Sequence, residues 1–158
     1  MSFGPVVSGD WLAQHLDEPG LVVADVRWYL DGRSAREVYD AGHVPGAVFV
    51  DLDTDLSALP SVAGGRHPLP EPAAFAAAMG RLGVGDETRV VAYDDTGGVT
   101  AGRLWWMLDA LGRDVAVLDG GIAAWTGALS TVAPVPAPAT FTATSWPADR
   151  MVSADELE

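Results

Sequence analysis

The chain contains no cysteine, and its nine basic residues include no lysine. The first absence removes disulfides, thiolate nucleophiles and thiolate metal sites. The second removes a Walker phosphate loop and Schiff-base chemistry. Positive charge is scarce altogether: nine arginines stand against 22 acids, giving a formal net charge of −13. That balance argues against nucleic acid or an anionic membrane surface as partner. No apolar run approaches the ~20 residues of a membrane span. The N-terminus Met1-Ser-Phe-Gly-Pro5 lacks the basic and apolar regions of a signal peptide. The expectation is a soluble, cytoplasmic protein with no membrane or nucleic-acid partner.

What is present suits a single globular domain. A chain of 158 residues that is 49% hydrophobic can bury a core without disulfides or a metal. The most informative stretch runs from Arg89 to Leu111. Val90 to Tyr93 are apolar and β-favouring, as in a parallel strand covered on both faces. Asp94 and Asp95 end that strand, and Gly97 and Gly98 allow the backbone to turn with positive φ. From Val99 the apolar positions Leu104, Trp105, Leu108 and Leu111 recur at helical spacing. Strand, turn and helix in succession aim the free N–H groups of a helix N-terminus into the turn, which makes an anion cradle. In covalent chemistry such a cradle holds a thiolate. Here the turn opens with two carboxylates, one of which is expected to cap the helix.

The rest of the chain alternates strands and helices through residues 8 to 126, which predicts a central parallel β-sheet flanked by helices on both faces, an α/β fold. Ser8 is a candidate N-cap, Ser34 to Asp40 a short helix, Leu21 to Asp25 and Val115 to Leu118 buried strands, and Pro72 to Leu82 a helix closed by Gly83. Asp25 and Arg27 read as a structural pair and His43 as a structural histidine bonding backbone groups. Phe75 reads as core. Asp51, Asp53 and Asp55 superficially resemble a calcium loop but lack its sixth-position Gly and twelfth-position Glu. No metal, cofactor or catalytic residue is assigned.

After Gly127 the composition shifts, and Val132-Ala-Pro-Val-Pro-Ala-Pro-Ala-Thr140 reads as an extended linker rather than a packed element. Val152-Ser-Ala-Asp-Glu-Leu157 then echoes Val7-Ser-Gly-Asp-Trp-Leu12. The expected organisation is a domain over 1–130, a linker over 131–148 and the start of a second, truncated copy over 149–158.

Taken together, Asp25-Val-Arg-Trp-Tyr29, Gly42-His-Val-Pro-Gly-Ala47, His67-Pro-Leu-Pro70, Tyr93-Asp94, Arg103-Leu-Trp-Trp-Met107 and Val117-Leu-Asp-Gly-Gly-Ile-Ala-Ala-Trp125 resemble the rhodanese-type sulfurtransferases. The resemblance is to the N-terminal half of the two-domain kind. It implies a rhodanese-like α/β fold and an active-site loop between a strand and the next helix. In catalytic members a cysteine opens that loop, takes a sulfane sulfur from thiosulfate or 3-mercaptopyruvate, and passes it to a thiol or cyanide. Here the position is Asp94, or Asp95 if the loop is aligned from Gly98-Val-Thr-Ala101. The degenerate loop Asp94, Asp95, Thr96, Gly97, Gly98, Val99, Thr100 therefore implies a non-catalytic domain that supports a Cys-containing second copy. Trp28 and the loop residues Gly97 to Thr100 are expected to face that partner, or to drive self-association. Arg103 is expected to pair with Asp94 or Asp95 or to support the interface. Two alternatives remain: a standalone binding or regulatory module, and an aspartyl phosphotransferase, which Asp94-Asp-Thr-Gly97 and the missing lysine disfavour.

Overall fold

The structure, a computed structural model, describes residues 3–157. Its strands are Val6–Val7 (β1), Leu21–Asp25 (β2), Val48–Phe49 (β3), Arg89–Tyr93 (β4) and Val115–Leu118 (β5). They form one parallel sheet in the order β1-β5-β4-β2-β3. The α-helices are Gly9–His15 (α1), Ala35–Ala41 (α2), Pro72–Arg81 (α3) and Val99–Ala110 (α4). None is long and apolar enough to cross a membrane among the described residues.

The sheet is buried on both sides because successive strand residues alternate faces and both faces are apolar. On β4, Val90 and Ala92 join Phe75, Met79, Leu104 and Leu108 from α3 and α4. Val91 and Tyr93 point the other way, to Leu12 of α1 with Val44 and Ala47. Helix starts are local. Ser8 Oγ accepts from Trp11 N at 3.1 Å and Ser34 Oγ from Glu37 N at 3.2 Å. Pro72 sits in the first turn of α3, where a missing N–H costs nothing. β1 is a two-residue edge strand, too short to leave a pattern in the sequence ahead of Ser8.

Strand order positions the site. From β2 the chain moves outward to β3, whereas from β4 it moves to β5 on the opposite side. The carboxyl ends of β2 and β4 therefore border a crevice at the point where the winding reverses, the usual place for ligands in open α/β sheets. Asp25 ends β2, and Asp94 follows β4 directly.

One expectation changes. Residues 131–148 are extended, with only a 3₁₀ turn from Ala148, but they are not unpacked. Phe141 is buried edge-on against Phe75, centroids 5.6 Å apart. Ala139 N donates to Gly80 O at 2.9 Å, Asp86 N to Thr140 O at 3.1 Å and Trp146 Nε1 to Pro70 O at 2.8 Å. A Cβ on Gly80 would lie 2.6 Å from Ala139 O, so glycine admits the strap against α3. Prolines exclude this segment from the sheet, and the few aromatics that anchor it carry no periodicity. At the far end, Ser153 N donates to Glu156 Oε2 at 2.6 Å beside a 3₁₀ turn over Ala154–Leu157.

Candidate functional site

The turn between β4 and α4 folds around Asp94. Its strand-end position places the carboxylate under the helix start, and Gly97 and Gly98, at φ 76° and 88°, swing the intervening backbone around it. Oδ1 accepts from Thr96 N at 3.1 Å and Gly98 N at 2.9 Å. Oδ2 accepts from Thr100 N and Ala101 N at 2.9 Å each, and from Thr100 Oγ1 at 3.1 Å. Thr100 and Ala101 are the second and third residues of α4, the positions an N-cap side chain serves. Gly98 has no side chain to serve them, so Asp94 caps the helix from upstream. Asp94 is fully buried. Burial pushes its carboxyl up, but the amides of Ala101, Gly98 and Thr96 and the Thr100 hydroxyl outweigh burial and hold it below the usual carboxylate value.

The neighbouring acid does something else. Asp95 is exposed and its Oδ2 accepts from Tyr29 Oη at 2.5 Å. Burial first, and the bond to Asp95 second, push the Tyr29 hydroxyl up to about 12. Val99 is 75% exposed at the rim of the same turn.

Beneath the crevice lies a closed polar network. Arg27 Nη2 donates to Asp25 Oδ2 at 2.6 Å and to Gly42 O at 2.7 Å, and Arg27 Nε reaches both carboxylate oxygens. Tyr93 Oη donates to Asp25 Oδ2 at 2.7 Å and accepts from Val44 N at 3.1 Å. Burial of Arg27 would lower its pKa, but the bond and charge of Asp25 outweigh it and raise the value. Burial raises the Tyr93 hydroxyl further. Both charges are out of water and fully partnered, so Asp25 and Arg27 are structural, as expected. His43 is likewise structural: its ring nitrogens sit 2.8 Å from Tyr39 O and 3.0 Å from Val132 O.

Arg103 pairs with neither aspartate. Its Nη2 donates to the carbonyls of Leu56, His67 and Pro68 at 2.8, 3.0 and 3.3 Å. It ties the 56–68 loop to α4 by supplying donors to part-buried loop carbonyls, while Asp94 is already saturated.

That loop carries an arrangement the sequence reading missed. Trp28 Nε1 donates to Asp53 Oδ2 at 3.0 Å, and His67 Nε2 lies 2.8 Å from Asp53 Oδ1. His67 stands edge-on to the Trp28 ring at 5.2 Å. Burial pushes the Asp53 carboxyl up, but Trp28 and His67 overcome it and lower the value. An imidazole oriented by a carboxylate is the arrangement of a general base. Asp53 and His67 lie 14 positions apart across an irregular loop, so no spacing rule flags them. Among the described residues, no group of three or more His, Asp or Glu is placed to hold a metal ion.

Comparison with known proteins fits this geometry. A family described as Rhodanese-like domain matches residues 8–128. The chain is 45% identical over 133 residues to a probable 3-mercaptopyruvate sulfurtransferase of Pseudomonas aeruginosa, covering 81% of this chain and 46% of that protein. It is 40% identical over 126 residues to the 3-mercaptopyruvate sulfurtransferase of Escherichia coli, covering 75% and 43%. It thus spans less than half the length of these relatives. A crystal structure of the Escherichia coli enzyme superposes with a TM-score of 0.86 at 33% identity, over 98% of this chain and 60% of that one. The Leishmania major 3-mercaptopyruvate sulfurtransferase superposes at 0.76 and 34%, over 90% and 40%. The buried carboxylate in the cradle, the β4–turn–α4 unit around it and these matches together place the chain in the rhodanese-like domain family.

Proposed function

We propose that this chain is the non-catalytic rhodanese domain of a thiosulfate or 3-mercaptopyruvate sulfurtransferase, acting beside a second, Cys-containing rhodanese domain of the same parent chain. The observation that carries the reading is Asp94. Its carboxylate occupies the amides that a thiolate or persulfide anion would need, and it is fully buried. A carboxylate on carbon does not accept a sulfane sulfur and release it again as a thiolate does. The other elements of the crevice remain intact: Trp28, Asp53 and His67 form a bonded set, and Gly97, Val99 and Asp95 lie on the outer rim. In this reading that rim meets the second domain, and His67 stands ready to move a proton for chemistry on the partner's sulfur. The sulfurtransferase names of relatives about twice this length support the assignment.

The test is a thiosulfate-to-cyanide assay, repeated with 3-mercaptopyruvate as donor. The purified 158-residue protein is expected to give no transfer above buffer, and transfer is expected on adding a Cys-containing second domain. Turnover by this chain alone that disappears in Asp94→Ala or Asp95→Ala would overturn the proposal.

A further inference from the structure

Cationic side chains are not spread evenly over this acidic molecule. Four of its nine arginines, Arg27, Arg33, Arg36 and Arg66, line one cleft of about 290 Å³ beside the ends of β2 and β3, against two aspartates, Asp51 and Asp53. Arg27, Arg33 and Arg36 are each held by a carboxylate, from Asp25, Asp31 and Asp40. Arg66 makes no ion pair among the described residues. Its guanidinium lies 5.4 Å over the Trp28 ring, while Arg33 lies 3.8 Å over the Tyr29 ring. Two cations lining one cleft are thus propped on aromatic faces. Such stacking orients a guanidinium while leaving donors free: among the described residues, all of Arg66's and the terminal nitrogens of Arg33, whose Nε is held by Asp31. The Tyr29 hydroxyl joins this cleft to Asp95 in the degenerate loop.

We propose that the cleft is a subsite for a small organic carboxylate, with Arg66 as the free cation, Arg33 as its partner and the Trp28 indole as the apolar wall. A planar carboxylate matches the two-pronged donor face of an arginine, and the volume is near the lower end of ordinary ligand pockets. The sulfurtransferase reading supplies only the choice of ligands: the carboxylate belongs to a 2-oxo acid donor or to a carboxylate-bearing thiol acceptor.

The test is NMR titration of the whole chain at constant ionic strength, following the Trp28 indole Nε1–H and the Arg66 and Arg33 Nε–H signals. Pyruvate stands in for the donor, glutathione for the acceptor, and thiosulfate serves as an inorganic anion. Saturable shifts with pyruvate assign the donor, and with glutathione the acceptor. Arg66→Gln is expected to weaken binding about fivefold or more, while Arg150→Gln, on an exposed pair with Asp109, leaves it unchanged. Absence of saturation with both carboxylates, saturation with thiosulfate alone, or affinity unaltered in Arg66→Gln would overturn the subsite. A chain that binds pyruvate yet transfers sulfur unaided would instead sink the non-catalytic reading and leave the subsite standing.

Discussion

Replacing Asp94 by alanine removes one acceptor group and leaves four backbone amides and a hydroxyl without it. Thr100 N and Ala101 N are interior, and each orphaned buried amide costs ~1–3 kcal/mol. Thr96 N and Gly98 N lie nearer solvent, where water replaces the carboxylate at little cost. Loss of the cap and its favourable charge at the helix N-terminus adds ~1 kcal/mol. The expected destabilisation is about 3–5 kcal/mol, a fall of roughly 10 °C in Tm for a domain of this size. Asp94→Asn is expected to lose about half of that, because its amide nitrogen must face donors on one side.

The pH dependence separates this account from simple loss of packing. The folded-state pKa of Asp94 lies below the usual 3.8, so its contribution is fully present above that value and fades as pH falls through the folded pKa. Urea unfolding of the wild type and of Asp94→Asn, followed from pH 7 to pH 3, is expected to show a constant gap down to about pH 4 that narrows below it. An Asp94→Ala variant within ~0.5 kcal/mol of wild type, or a gap that ignores pH, would refute the buried-anion reasoning.

Gly121, at φ 62°, would place an added Cβ against Asp94 O, the acceptor of Ile122 N, so Gly121→Ala is expected to cost ~2–4 kcal/mol in urea unfolding. Phe141→Ala is expected to cost about 3 kcal/mol by thermal melting if the strap packs as described, and a negligible loss would show that it does not. The hydroxyl of Tyr29, raised to about 12, contributes stability that is complete below its unfolded value near ~10 and lost as pH rises toward the folded one. Ultraviolet titration of Asp95→Asn is expected to move the Tyr29 transition down while leaving it above ~10, since burial remains. An unmoved transition would show that Asp95 does not hold the hydroxyl.

Much of this architecture was legible because the features that create it are local. A run such as Leu21 to Asp25 has a strand of the same bounds, since continuous apolar β-formers buried on both faces leave no competing arrangement. The glycine pair at 97 and 98 and the acid before it announced an occupied cradle, and both glycines take positive φ. What failed to show in the sequence is set by long-range geometry. Asp53 and His67 meet across a loop whose carbonyls Arg103 holds against α4, and nothing in either residue's neighbours signals the other. The strap hid for the opposite reason. Its prolines rule out every regular element, so the composition of a flexible linker is also that of a segment held down by Phe141 and Trp146.

The two adjacent acids were indistinguishable by type, and burial separates them. Alignment from either end of the loop makes each a candidate for the nucleophile's place, but Asp94 turns inward to the amides while Asp95 turns outward to Tyr29. The side chain at 94 is fully buried under the start of α4, whereas the one at 95 is exposed. The inward acid therefore fills the cradle, and the outward one lies on its exposed rim. The same choice explains why Arg103 is free to organise a loop: with five donors already on Asp94, its carboxylate is satisfied without a guanidinium.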